Sequence, residues 1–546
     1  MTEPSPLWPP PSGDGIRKDN TILRAMLAER DLRTQALAGT VISQCDLRGA
    51  KLAGMDLTGT VFHRCILRTA DFRGATLGGV TFAESFAEGA RFDGADLTKA
   101  SFAGVSLVSA SFTDATFSTT SFAKCALRDA TLATRTYETV FMMQCDLVGI
   151  RDLPRTCKAC GFIASDLGGV DLSQREYTNV IFAKSTLRDV TLAGSTMIDC
   201  GLIEADLTGV RFDGASLEQS SLFDATFSPT DVLRASDLRG VTFAHANFDD
   251  CAFGTHDLSN CTFLECTLNR ARFTGGKATD AKFITCRLGD ADFSKVEHEG
   301  VVFQGSTLDG ASFRDSKLKN AMFLETGLDR TDFTRMKADV FILMDATIDT
   351  AIIKESAFVR GYLPEARLAG RDLRGCDFTF ATLKKADLTG ANLSGVMAKA
   401  CNFAEAKMSR ADLSRIRAEF ANFTGAQLQE VIATDAFLHA ANFEKADLTR
   451  AEFPGANVSE ARLLRVVAPA AKFLRADLTS SDLSYADLRY ADLERATLVR
   501  ANVHAVGDEG ANWERSDRKK TLGTDLDRYE AERWRPPPFT LENDPS

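Results

Sequence analysis

The residues able to carry chemistry are thirteen cysteines and six histidines in a chain of 546 residues. Cys157 and Cys160 form a C-x-x-C, a spacing used by metal thiolates and redox pairs, yet no second pair or nearby histidine completes four zinc ligands. The histidines (His63, His245, His256, His298, His439 and His504) are scattered, and none falls where a coil would bring it beside a nucleophile. Neither a phosphate-cradling G-x-x-x-x-G-K nor a strand-linked G-x-G-x-x-G occurs. The expectation is a protein without catalytic, cofactor or metal site, and not an enzyme.

Twelve cysteines share one setting, two residues before a Leu or Phe: Cys45, Cys65, Cys125, Cys145, Cys160, Cys200, Cys251, Cys261, Cys266, Cys286, Cys376 and Cys401. Alanine fills that setting elsewhere, so these thiols read as small packing residues. Cys45 and Cys65 lie twenty apart, as do Cys125 and Cys145, and Cys266 and Cys286. The N-terminus lacks the basic-then-apolar layout of a secretory signal, and no stretch approaches the roughly 18 apolar residues of a membrane span. A cytoplasmic protein with free thiols is expected.

Those cysteines belong to a larger pattern. An apolar residue recurs every five positions, in one phase from Leu32 to Phe227 and in another, one residue displaced, from Leu238 to Trp513. Ala476-Asp477-Leu478-Thr479-Ser480 shows the unit clearly. Five fits neither the helical period nor the strand period, so the chain must turn at regular corners to keep its apolar residues inside. A second period of twenty overlies the first: Phe62, Phe82, Phe102 and Phe122 fall in one column and Leu107, Leu127, Leu147 and Leu167 in the next. The pattern A-[DN]-[LF]-X-X resembles the bacterial pentapeptide-repeat family, in which four pentapeptides make one square coil of a right-handed quadrilateral β-helix. The resemblance implies an all-β solenoid of roughly 24 coils, stacked about 4.8 Å apart, with short terminal caps.

The expected organisation follows. Residues 1–19, with Pro4, Pro6, Pro9, Pro10 and Pro11, read as a disordered arm, and 20–31 as an amphipathic capping helix with Asn20 or Thr21 at its N-cap. Residues 32–227 form the first β-helical phase, 228–237 a loop or bulge around Pro229, and 238–513 the second phase. Residues 514–546 read as a C-terminal helix, near Asp525–Trp534, and a tail. From Val148 to Gly161 the inward position falls on Asp152 and Cys157, with Pro154 between them, which predicts a local protrusion. His298 stands at an inward position and predicts a distorted coil.

The residues beside the inward positions should meet solvent, and the aspartates of Ala-Asp-Leu, such as Asp387 and Asp477, read as a solvated face. One column breaks the rule. The residues flanking the phenylalanine column are apolar over a long stretch: Met143, Ile163, Ile203, Phe223, Leu264, Ile284, Val302, Met322, Leu324, Ile342, Met344 and Tyr362. An exposed apolar strip of this length marks a surface for a protein partner or a second copy of the chain.

The 75 acidic and 64 basic residues give a net charge of -11, which argues against binding polyanions such as nucleic acid. Family resemblance also raises DNA mimicry, in which an acidic solenoid occupies a type II topoisomerase. From Asp377 to Arg500, however, 16 acidic and 16 basic residues leave no net field to imitate phosphates. A rod-like interaction scaffold or adaptor fits better. The segment Arg528-Tyr529-Glu530-Ala531-Glu532-Arg533-Trp534-Arg535-Pro536 resembles tails of pentapeptide proteins associated with bacterial type VI secretion, which implies adaptor or effector-loading work.

Overall fold

A computed structural model describes residues 16–134, 136–346 and 348–535. The chain divides into two compact units, one of residues 1–272 and 276–287, the other of residues 273–275 and 288–546. Each is a parallel β-solenoid with a coil of twenty residues. In the first, Val61–His63 pairs with Thr81–Ala83, which pairs with Ser101–Ala103, each register advancing by one coil. In the second, Val302–Gln304 pairs with Lys317–Leu324, which pairs with Lys337–Met344. Between the short strands, isolated bridges such as Asp387↔Lys407 and Asn422↔Asn442 continue the same twenty-residue register.

The inward residues explain why the chain coils. Phe62, Phe82 and Phe102 stack ring on ring, with centroids 4.9 and 4.8 Å apart and planes within 9°. Phe72 rises from the opposite wall and meets Phe82 edge-on at 5.7 Å and 87°. The second unit repeats this, with Phe303 stacked on Phe323 at 5.0 Å and edge-on to Phe313 at 5.8 Å. Offset and T-shaped contacts are the geometries that aromatic quadrupoles favour, so the interior is both apolar and specific.

Backbone groups are satisfied between coils and at the corners. At most corners the N–H of the third residue after an inward position closes a turn, as Thr60 N to Leu57 O at 3.0 Å. Asp or Asn just before the inward residue reinforces that turn. Asp56 Oδ1 accepts from Thr58 N at 3.0 Å, Asp387 Oδ1 from Thr389 N at 3.1 Å and Asn392 Oδ1 from Ser394 N at 3.0 Å. The aspartates expected only as a solvated face therefore have a local structural task, the Asx turn. Where an arginine follows, as at Asp71–Arg73 and Asp372–Arg374, the guanidinium clamps the carboxylate at 2.7 and 2.8 Å. The arginine hydrogen bond holds the Asp71 carboxyl below its usual range and that of Asp372 down to about 2.

One corner of the first unit is built differently and holds several of its thiols, among them Cys65 and Cys145. After Phe62 the strand extends through the corner, and Cys65 N, deprived of the turn acceptor, donates to Ser85 Oγ of the next coil at 3.0 Å. Cys145 N likewise donates to Ser165 Oγ, and Ser165 N to Ser185 Oγ, both at 3.1 Å. Each hydroxyl passes its own proton to a carbonyl, Ser185 Oγ to Phe162 O at 2.7 Å and Ser165 Oγ to Met142 O at 3.0 Å. Cys and Ser recur at this corner because the site needs a small side chain that can accept and donate. Ser165→Ala should cost about 1–3 kcal/mol in urea denaturation, since Cys145 N is left buried and unpaired, whereas Ser165→Cys should cost less than half as much.

Three expectations are corrected. Residues 20–31 are not a helix: Thr21–Leu23 is already a strand of the first coil, paired with Val41–Ser43, and Met26 and Asp31 bridge to Asp46 and Lys51. Spacing of Ile22, Met26 and Leu27 suits a helical face, but pairing with the next coil satisfies Leu27 N and Glu29 N at 2.7 and 2.6 Å. Ile16–Lys18 folds back antiparallel on that strand. The proline-rich arm expected at the N-terminus lies mostly outside the described residues.

Nor does the chain protrude around Pro154. Leu153, not Asp152, turns inward, Asp152 takes the left-handed corner at φ 53°, and Thr156–Lys158 pairs in register with both neighbouring coils. The Arg175 guanidinium donates to Leu153 O and Pro154 O, which replaces the lost ladder bonds. The coil holding His298 keeps its strand, Glu297–Glu299, paired to Lys317–Leu324 without distortion. At the phase change the short helix Pro229–Val232 absorbs one residue, so Ser221 pairs with Thr242.

Near the C-terminus Leu526–Arg533 is helical, capped by Asp525, whose carboxylate accepts from Arg528 N at 3.0 Å. Glu532 of this helix hydrogen-bonds Tyr485, and buried His504 accepts from Asp525 N through Nδ1 at 3.3 Å.

Candidate interaction face

In the first unit the wall carrying Phe122, Met142, Phe162 and Phe182 presents an apolar patch. Met143 is 39% exposed and is joined by two residues not anticipated from the sequence, Phe141 at 37% and Ile181 at 42%. Both precede inward residues of the same wall, the signal that did identify Val302 and Met322 in the other unit. Large residues alternate with Gly161 and Gly201 along this column. A Cβ on Gly161 would stand 2.7 Å from the Phe141 ring, so the glycine makes room for that ring to lie along the wall. Ile163, Ile203, Phe223, Leu264 and Ile284 are half-buried because neighbours one coil apart cover each other. Ala244 is buried and interrupts the column.

In the second unit Val302, Met322, Leu324 and Ile342 are half-buried, while Met344 and Tyr362 are 46% and 43% exposed. Met344 and Tyr362 border an open groove of about 570 Å³, lined also by Asp345, Asp349, Pro364, Glu365 and Arg367. Asp349 is held by Arg367 at 3.3 Å. The apolar face therefore ends in a groove with an acidic rim.

A second exposed apolar set lies on another wall of this unit, where Phe380, Met397, Phe420 and Phe437 are 57%, 49%, 54% and 44% exposed. Sequence reading missed it because two of the four stand at corner positions, where charged residues or glycine are the rule.

Groups that could do chemistry are buried or already engaged. Burial pushes the Cys200 and Cys376 thiols up to about 11 and that of Cys261 up to about 12, so all three stay protonated. Cys251, at the groove beside Pro229, is half-buried, and burial raises it as well. The histidine lining that groove, His245, has Nδ1 on Asp224 and Nε2 3.6 Å from Glu265, which leaves neither nitrogen to serve as a base for the thiol. The hydroxyls of Tyr137 and Tyr177 are enclosed without partners, and burial raises both phenols. Among the described residues no three metal-ligating side chains gather, and no helix is long and apolar enough to cross a membrane.

The family described as Pentapeptide repeats (8 copies) matches ten segments of the chain, residues 42–79, 77–114, 95–132, 200–231, 236–275, 299–335, 363–396, 399–439, 433–463 and 470–505. The chain belongs to the pentapeptide-repeat family. No curated relative matches it. Solved structures similar to this pentapeptide-repeat protein include QnrB1, a plasmid-mediated fluoroquinolone resistance protein, at 17% identity and TM-score 0.27, covering 39% of this chain and 94% of that one. HetL, involved in heterocyst differentiation regulation in the cyanobacterium Nostoc sp. strain PCC 7120, aligns at 21% identity and TM-score 0.14, over 55% and 98% of the two chains. Rfr23 of the cyanobacterium Cyanothece 51142 aligns at 24% identity and TM-score 0.15, over 25% and 90%. None of the three bears on what this pentapeptide-repeat protein binds.

Proposed function

We propose that this pentapeptide-repeat protein is a non-enzymatic interaction scaffold or adaptor, working in a cytoplasmic bacterial secretion assembly. Its partner docks on the apolar face flanking the phenylalanine column. The exposure of Phe141, Met143 and Ile181 in one unit and of Met344 and Tyr362 in the other carries this reading, since soluble surfaces rarely leave such side chains clustered and uncovered. The acidic rim of Asp345, Asp349 and Glu365 favours a partner segment that joins apolar side chains to basic ones. The secretion setting rests on the resemblance of the Arg528–Pro536 segment alone.

DNA mimicry has less support. Surface carboxylates such as Asp71, Asp237, Asp372 and Asp487 are neutralised by arginines two residues on, at 2.6–2.8 Å, rather than left as a bare acidic track.

Changing Met143, Ile203, Phe223, Leu324 and Met344 together to Ser tests the interaction reading. Affinity purification with mass spectrometry should recover a partner set with the native protein that the variant loses, at an unchanged circular-dichroism spectrum. An identical set from both proteins would contradict it.

A further inference from the structure

The exposed set on the second wall carries an inference of its own. Phe380 and Phe420 occupy left-handed corners, at φ 59° and 63°, and are more than half exposed. A bulky side chain in that conformation is strained, and an exposed ring recovers nothing from burial. Tyr485, at another left-handed corner of the unit, is compensated within the chain by its hydrogen bond to Glu532. A phenyl ring has no hydrogen bond of this kind to make, and Phe420 meets Lys399, 5.9 Å over its face, and His439, edge-on at 5.6 Å and 83°.

The corner column reads Phe380, Ala400, Phe420, Ala440, stacked coil on coil through Phe380 N to Lys399 O, Ala400 N to Glu419 O and Phe420 N to His439 O at 2.8–2.9 Å. Beside it runs Thr379, Lys399, Glu419, His439. Both columns are self-complementary under one two-fold axis that crosses the wall midway between the coils of Ala400 and Phe420. That operation lays each Phe against an Ala of the other copy, Phe420 on Ala400 and Phe380 on Ala440. It also sets Lys399 opposite Glu419, twice. A parallel copy in register would instead oppose Phe to Phe and Lys to Lys.

We propose that a second copy of this chain docks antiparallel on this wall, its phenylalanines filling the alanine gaps and Lys399 pairing with Glu419 across the axis. Glu419 is only weakly engaged by Arg417, which is 4.0 Å away and lies over Phe437. A contact of about four coils, spaced about 4.8 Å apart, is short, so the association belongs to the weak class of interfaces and appears at micromolar concentration.

Sedimentation velocity of the full chain across the micromolar range tests this. The native protein should pass from monomer to dimer. Lys399→Glu alone and Glu419→Lys alone should each raise the dissociation constant about ten-fold or more, because each puts like charges face to face. An equimolar mixture of the two variants should form dimers again, since every contact in the mixed pair is attractive. Phe420→Ala should weaken the dimer without lowering the melting temperature. The five-serine variant of the other face should dimerise like the native protein, which separates this proposal from the docking reading. A native protein that stays monomeric, single variants that dimerise normally, or a mixture that stays monomeric would overturn it.

Discussion

Phe82→Ala should lower the stability of the first unit by about 3–5 kcal/mol, one of the two largest effects expected from a single substitution. Phe82 is fully buried and touches rings on every side, stacked with Phe62 and Phe102 and edge-on to Phe72 and Phe92. Truncation removes two stacking and two T-shaped contacts and leaves a hole that walls tied together by ladder hydrogen bonds cannot close. In a solenoid each coil is stabilised chiefly by its neighbours, so the loss should be local. Hydrogen exchange should quicken in residues 60–105 and stay unchanged beyond residue 180. A uniform rise over the whole unit would show that the coils unfold as one block.

His298→Leu should act in the opposite direction. His298 is 4% exposed, Nδ1 faces the carbonyl of Glu297 at 3.2 Å, and Nε2 has no partner. Burial holds the imidazole down to about 4, below the 6.5 of a free histidine. Between these values the unfolded chain binds a proton that the folded chain refuses. The stability is thus complete above about pH 6.5 and falls as the pH drops toward 4, by about 3 kcal/mol in all. Leucine, the commonest occupant of inward positions, removes both the unpaired nitrogen and the proton linkage. Urea denaturation should show a gain of about 1–3 kcal/mol at neutral pH and a flat profile from pH 6.5 to 4.5. The acid limb below pH 4 should persist, because it comes from carboxylates such as Asp71 and Asp387, held low by Arg73 and Thr389.

The solenoid was legible because its cause is periodic. Phe62, Phe82 and Phe102 recur every twenty residues only if the chain returns to the same wall, and the structure stacks them there. Elsewhere a sequence pattern satisfied two geometries at once. Ile22, Met26 and Leu27 suit a helix as well as a coil, and the unpaired edge of the next coil, Val41–Ser43, decided between them. Asp152 lost its inward place to Leu153 because shifting the corner by one residue keeps the apolar side chain inside.

The site was half legible for the same reason. Met143, Met344 and Tyr362 stood out because a whole column turned apolar. Phe141 and Ile181 alternate with glycine, and Phe380 and Phe420 with alanine, so neither column reads as a continuous strip. The thiol and hydroxyl corner was seen only as small. Its acceptor role depends on a backbone N–H that the extended corner strands, which no count of residue types reveals.

Hydrogen exchange of the protein bound to the partner recovered by affinity purification tests the central claim most directly. Slowed exchange confined to peptides covering residues 141–163 and 342–364, where Met143 and Tyr362 are exposed, is the predicted result. Protection confined to other walls, with these peptides exchanging as in the free protein, would contradict it.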